Sequence, residues 1–369
     1  MDFSLTDEQR MLVESTRQML ARQSPIAGVR ALAEGDGPGF DPDVWERGSA
    51  LGWPALPIPE EFGGLGRDLI DLALITEEHG RSAQPGPLAS HALVAIAITE
   101  SGYDDLRSAV LPSLASGEFV ATWAFAEPRE SWEPDGVHAE VDQNSGGFRL
   151  NGVKTAVQDA DAAQLILVTA RLNNRFVHCL VDPRTNGVIV RRQRTLDLTR
   201  RFAEVRLADV LVPGASVLVV DDAALARQLR YGAVLVCADS LGIGARVLEM
   251  SIEYAKLRAQ FGRPIGSFQA VKHRCARMRM WLQASQAATY YAAMAVAADA
   301  EDAEEATGIA KAYTSSAIAD LTSEALQLHG GIGFTWEHDL HLYHRRARAN
   351  QVLFGDPSLH YERLTAALE

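Results

Sequence analysis

A guanidinium, an aromatic ring and an amide placed close together can hold a phosphorylated, ring-bearing ligand. Residues 258–269 supply all three: Arg258-Ala-Gln-Phe261-Gly262-Arg-Pro-Ile-Gly-Ser-Phe-Gln269. An arginine can fork onto a pyrophosphate. A phenylalanine can pack on an apolar ring, and a glutamine can read an amide or a sugar edge. A second set, Gln327-Leu-His329-Gly330-Gly331-Ile-Gly333-Phe334, stands directly behind a long helical stretch. Its glycines permit positive φ and let a ligand approach the backbone closely. Taken singly, the first string reads as a helix-ending turn with a solvated arginine, and the second as a C-cap loop.

Three blocks of texture must position these residues. The first third reads as helical. Thr6 and Gln9 make a capping box ahead of Met11, Leu12, Val13, Met19 and Leu20. Prolines 54, 57 and 59 and the run Gly63-Gly64-Leu65-Gly66 mark an irregular connection before helical spacing resumes at Leu69 and again at Ser90. From about 119 the chain turns to short β-forming runs: 119–125, 148–157, 165–168, 176–181, 188–190 and 203–207. Their close spacing predicts an antiparallel sandwich or barrel rather than βαβ units. Within 148–157, Asn151-Gly152 is expected to form a hairpin turn. From Ala223 the helical texture returns, with Leu241, Ala245, Leu248, Ile252 and Ala255 three or four residues apart. The expected domains are therefore 1–118 helical, 119–222 β and 223–369 a helical bundle, an α+β architecture.

Bulk properties exclude several roles. The net charge of −13 argues against nucleic acid as the main partner and against anchoring on an anionic membrane. No run of 18 apolar residues occurs, so no membrane-spanning helix is expected, and the cytoplasm is the expected location. Cys179, Cys237 and Cys275 follow no CxxC pattern. They are expected to be small buried hydrophobes rather than disulfide or zinc ligands, and no metal site is expected.

Together, the two glycine- and arginine-bearing cassettes resemble the flavin-binding signatures of the acyl-CoA dehydrogenase family. The likeness extends over nearly the whole chain. It includes Met1-Asp-Phe-Ser-Leu-Thr-Asp-Glu-Gln, Leu51-Gly-Trp53, Ile58-Pro-Glu-Glu-Phe62-Gly-Gly-Leu-Gly66 and Phe125-Ala126-Glu127-Pro128. The resemblance implies an N-terminal helical domain, a middle β-domain and a C-terminal four-helix domain. It also implies FAD at a subunit interface of a homo- or hetero-oligomer, a dimer or tetramer. An acyl-CoA thioester would lose a proton at Cα and a hydride at Cβ to become a trans-2-enoyl-CoA. Electrons would pass to an electron-transferring flavoprotein. By the same resemblance Arg258, Phe261, Gln269, Gln327, Gly330 and Gly331 bind FAD, with Phe125 and Ala126 against the isoalloxazine. The chain departs from its relatives at Ala126, where they carry threonine, and at Ala156, where they often carry tryptophan or phenylalanine.

Removing an α-proton calls for a carboxylate with a raised pKa aimed at that carbon. Relatives place a glutamate at one of two positions, and these are Phe354 and Gly232 here. Two carboxylates remain as candidates. Asp239 follows Gly232 by nearly two turns on the same helix face, roughly 10 Å along the axis; it is expected to be buried, as a base or in a structural hydrogen bond. Asp356 is near the loop position and equally suits an N-cap for the last helix, with proline behind it. Arg191, Arg192, Arg194, Arg200 and Arg201 are expected on a solvated β-domain edge, with a CoA phosphate as the alternative. The run Tyr343-His344-Arg345-Arg346 is expected to be exposed or at a subunit contact. Two functions stand side by side: an FAD-dependent acyl-CoA dehydrogenase with an unusual base, and a non-catalytic FAD-binding partner whose neighbour carries the glutamate.

Overall fold

The apolar periodicity before residue 116 produces helices α1 (Asp7–Gln23), α2 (Ile26–Glu34), α3 (Pro42–Ala50), α4 (Leu69–Arg81), α5 (Leu88–Glu100) and α6 (Asp104–Ala115). The computed structural model describes residues 5–37, 39–129, 132–144 and 147–366; residues 1–4 of the opening motif lie outside them. The expected capping box forms, with Gln9 N–H donating to Thr6 Oγ1 and Thr6 N–H to Gln9 Oε1. Two such reciprocal bonds satisfy donors that a helix start leaves unpaired. Trp53 is buried behind α1, where its indole N–H donates to Thr16 Oγ1 at 3.1 Å and its ring meets His79 of α4 edge-on.

The middle block is a sheet of β1 (Ala121–Ala124), β2 (Glu140–Asn144), β3 (Gly147–Gln158), β4 (Leu165–Leu172), β5 (Arg175–Val181), β6 (Val188–Gln193), β7 (Phe202–Val212) and β8 (Val217–Val220). The order is β6-β7-β3-β2-β4-β5-β8, with β1 on β4. Most pairs are antiparallel, as expected, but β1 runs parallel to β4. The expected hairpin at Asn151-Gly152 is not there. β3 passes through both residues as one strand, and the register against β7 slips between Leu150 and Gly152. Asn151 supplies a side-chain acceptor for Asp209 N–H at 2.7 Å. An Asn-Gly pair in a β run thus marks a bulge here, and the extra residue is absorbed within the strand.

Helices α7 (Asp222–Leu257), α8 (Gln269–Ala297), α9 (Ala303–His329), α10 (Leu340–Val352) and α11 (Pro357–Ala366) complete the chain. The chain is therefore helical, then β, then helical, as its texture predicts. α4 and α7 touch backbone to backbone. A Cβ on Gly80 would lie 1.9 Å from the Asp239 carbonyl oxygen, and one on Gly242 would lie 1.8 Å from that of Glu77. Only glycine permits this crossing, and the crossing places His79 beside Asp239. Gly242→Ala should therefore lose about 3 kcal/mol of unfolding free energy, because neither backbone can yield to the methyl. Gly28→Ala, whose new Cβ meets nothing closer than 4.0 Å, should gain a few tenths to about 1 kcal/mol from helix propensity. Urea melts of the two variants check the contrast.

Candidate active site

One cavity sits where all three blocks meet. Its walls are His79 of α4, Gln84 and Leu88 beside α5, Trp123, Ala156, Gln158 and Phe202 of the sheet, Gly232 to Asp239 of α7, and Leu353-Phe354 after α10. Gly232 and Phe354, the two positions expected from the resemblance to hold a glutamate, meet in its wall. A Cβ on Gly232 would fall 2.2 Å from Phe354 Cε1, so the missing side chain is the space that the phenyl ring occupies. Phe354 adopts φ +58, a strained choice for an aromatic residue. Ring packing offsets the strain: Trp132 lies 4.6 Å away and Trp123 6.2 Å away, and Trp132 stacks on Phe125. From below, Lys311 donates to the carbonyls of Asn350, Gln351 and Gly355 and holds the loop that carries the ring. Burial brings the pKa of Lys311 down to about 8.

Asp239 is buried, as expected, but it is not free. Arg346 Nη2 donates to Oδ1 at 2.5 Å, Arg346 Nε to Oδ2 at 3.0 Å, and Asn350 Nδ2 to Oδ2 at 2.7 Å. Burial pushes the carboxyl pKa up, but the guanidinium outweighs burial and holds Asp239 below the usual carboxylate range. The raised pKa that proton abstraction calls for is therefore not what this environment produces. Arg346 overturns the expectation of an exposed run at 343–346: it and Tyr343 are buried. Their positions on α10 explain it, since residues 343, 346, 347 and 350 recur at helical spacing on one buried face. That spacing was the available signal. Asp356 accepts from Leu359 N–H at 2.9 Å, so it serves as the N-cap of α11. The arginine group divides. Arg192 pairs with Asp161 at the exposed edge, while Arg200 is buried on Asp197 and Asn350, and Arg201 donates to the carbonyls of Leu32 and Gly35.

Phe125 packs behind Trp123 and Trp132 of the cavity wall, and it and Ala126 are braced by a buried ion pair. Lys154 Nζ donates to Glu127 Oε1 at 2.6 Å and to the Phe125 carbonyl at 3.0 Å, and Thr155 N–H donates to that of Ala126. Glu127 also accepts from the backbone N–H of His138 and Ala139. Burial lowers Lys154 to about 8 against the pull of Glu127.

The other candidate residues lie elsewhere. Ala259–Gln260 and Arg263–Pro264 pair as a small hairpin with Phe261 and Gly262 at its tip. Arg258, Phe261, Gln269, Gln327, Gly330 and Gly331 are all exposed. Tyr254 stacks on His329 at 4.4 Å and so brings the two cassettes to one end of the bundle. From Gly232 to Arg258 there are 26 residues, and at 1.5 Å each along continuous α7 that is about 39 Å. The structure thus joins the two cassettes to each other and separates both from the cavity. Their donor set fits a dinucleotide: the Arg258 side chain is exposed, its backbone alone being bonded, to Tyr254 and Ile265, and nothing lies within 4 Å of a Cβ built on Gly330 or Gly331.

Residues 6–118 match the family described as acyl-CoA dehydrogenase, N-terminal domain, and residues 223–368 match acyl-CoA dehydrogenase, C-terminal domain. The chain is 32% identical over 364 residues to acyl-CoA dehydrogenase IpdE2 of Mycolicibacterium smegmatis, a match covering 98% of this chain and 99% of that protein. This chain belongs to the acyl-CoA dehydrogenase family. Among solved structures it resembles butyryl-CoA dehydrogenase from Megasphaera elsdenii, with TM-score 0.90, 25% identity and full coverage of both chains. It also resembles the Tcur3481-Tcur3483 steroid ACAD, with TM-score 0.89, 26% identity and 98% coverage of each. Family and fold support an oxidoreductase acting on CH–CH groups and FAD as its cofactor.

The Asp239–Arg346 pair makes a direct prediction. Arg346→Met strands a buried carboxylate and should cost about 3–5 kcal/mol at neutral pH. Asp239 should then titrate upward under burial alone, so the variant should recover stability as pH falls toward 5, where the wild type gains nothing from this group. Melts across pH 5–8 check both signs.

Proposed function

We propose that this chain takes part in FAD-dependent α,β-dehydrogenation of an acyl-CoA thioester within an oligomer whose flavin sites are each built by two chains. The separation along α7 carries this reading. A flavin beside Phe125 and Ala126 is out of reach of Arg258 and Gly330 of the same chain, so a second chain must bring those residues to it. Arg258 would fork onto the pyrophosphate, the open backbone at Gly330 and Gly331 would admit it closely, and Phe261 would cover an apolar ring. When bound, FAD supplies a hydride acceptor. The cavity walls exclude water and orient the acyl group, and the resemblance supports an electron-transferring flavoprotein as the electron acceptor.

Among the described residues Asp239 is the one carboxylate lining the cavity, so it is the in-chain candidate for taking the α-proton. It would act as an anion at every pH above the usual carboxylate range, with a small driving force because its pKa is low. The Arg346 clamp favours a second reading. In it this chain lends its FAD-gripping cassettes to a neighbour of a different type that carries the glutamate, and Gly232 and Phe354 close the unused slot here.

The two readings separate by experiment. In the first, the purified chain is yellow and a suitable acyl-CoA bleaches it. Asp239→Asn then keeps flavin but loses about 10²–10⁴-fold in turnover. In the second, the chain alone is inert and turnover appears only with a second gene product. In both, Arg258→Ala should lower flavin occupancy. Unchanged occupancy, read from the visible flavin absorbance of the purified protein, would remove the arginine from the cofactor site.

A further inference from the structure

The cavity has an unusual end for a site that takes an alkyl chain. His79 and Gln84 line it, 95% and 97% buried from exposures of 5% and 3%. His79 Nε2 and Gln84 Oε1 are both buried without a hydrogen-bond partner among the described residues. Leaving such groups unpaired is costly, so each asks for a function. The two residues are tied together, because Gln84 N–H donates to the His79 carbonyl at 2.8 Å. The Gln84 amide is oriented by its NH₂ group, which donates to the Pro85 carbonyl at 2.8 Å and leaves the oxygen as acceptor. Burial and the nearby Arg346 lower His79 to about 3, so the ring is neutral and offers one N–H.

A hydroxyl lying between them would serve both, accepting from His79 in its Nε2–H tautomer and donating to Gln84 Oε1. A carboxylate suits the place less well. Arg346 is already neutralised by Asp239, and it spends Nη1 on the Gln84 carbonyl and Thr199. A second anion would meet the Asp239 carboxylate with no cation to spare. The volume is about 60 Å³, which at roughly 10–15 Å³ per water-sized group admits a short fragment. We propose that His79 and Gln84 form a subsite for an uncharged hydroxyl carried on the acyl group, so that the preferred thioesters are hydroxylated rather than plain alkyl. This rests on the first reading above, in which this chain's own cavity takes the acyl thioester.

The test is calorimetric binding of hexanoyl-CoA, 6-hydroxyhexanoyl-CoA and adipyl-CoA to the flavin-loaded protein, with any co-purifying partner retained. The hydroxy thioester should bind roughly tenfold or more tighter than the other two. His79→Phe and Gln84→Met should each bring the hydroxy-to-alkyl ratio toward one. The ratio is taken within one sample, so partial loss of folded protein cancels. Equal binding of all three by the wild type means that water serves the two groups, which overturns the subsite while the acyl-CoA reading stands. Preference for adipyl-CoA, or variants that keep the wild-type ratio, also overturns it. If none of the three binds, the acyl-CoA reading falls and takes the subsite with it.

Discussion

A single buried ion pair joins all the parts of this molecule. Asp239 belongs to α7, Arg346 to α10, the Gln84 carbonyl to the connection between α4 and α5, and Thr199 to the link between β6 and β7. Arg346 touches all of them at once. Two charges out of water are tolerable only when each is paired and its remaining hydrogen-bonding capacity is filled. Here Asn350 completes the carboxylate, and Thr199 and Gln84 occupy the guanidinium. The pair is therefore satisfied only when the N-terminal helices, the sheet and the C-terminal bundle are docked together. The cavity wall it forms exists under the same condition.

The second constraint is steric. Gly80 and Gly242 let α4 and α7 cross at backbone contact, and Gly232 opens the hollow that Phe354 fills. Hollow and ring make one unit with Trp132, Trp123 and Phe125. Lys311 fixes the loop beneath it by donating to three backbone carbonyls. The result is a slot lined by rings where the resemblance implied a carboxylate. This is why the electrostatics of the cavity are decided at its Asp239 end.

The length of α7 imposes the third. One continuous helix of 36 residues carries the cavity wall in its first half and leads to Arg258 at its end. A rigid rod of this kind does not let both ends meet one ligand. A dinucleotide held by residues from both ends has to lie between chains.

Several features were legible in the sequence because they are local. The capping box, the helical blocks with α9 running from Ala303 to His329, the β texture between them and the kinship of the two cassettes all depend on residues near one another in the chain. So does the N-cap at Asp356. Asn151-Gly152 misled because its turn chemistry also suits a bulge, and partner strands choose between the two. The burial of Asp239 could be read from its apolar neighbours, but its partner could not. Arg346 is 107 residues away, and only the crossing of α7 and α10 brings it to 2.5 Å. The same holds for Lys311, for the Gly232–Phe354 fit and for the orphaned atoms of His79 and Gln84. Sequence by itself determined the elements and the family, since these follow from local propensity and from motifs contiguous in the chain. Tertiary structure alone decided the pairing of Asp239 with Arg346, the filling of the empty slot and the distance between cassettes and cavity. Burial and pairing act through space, between residues that the chain keeps far apart.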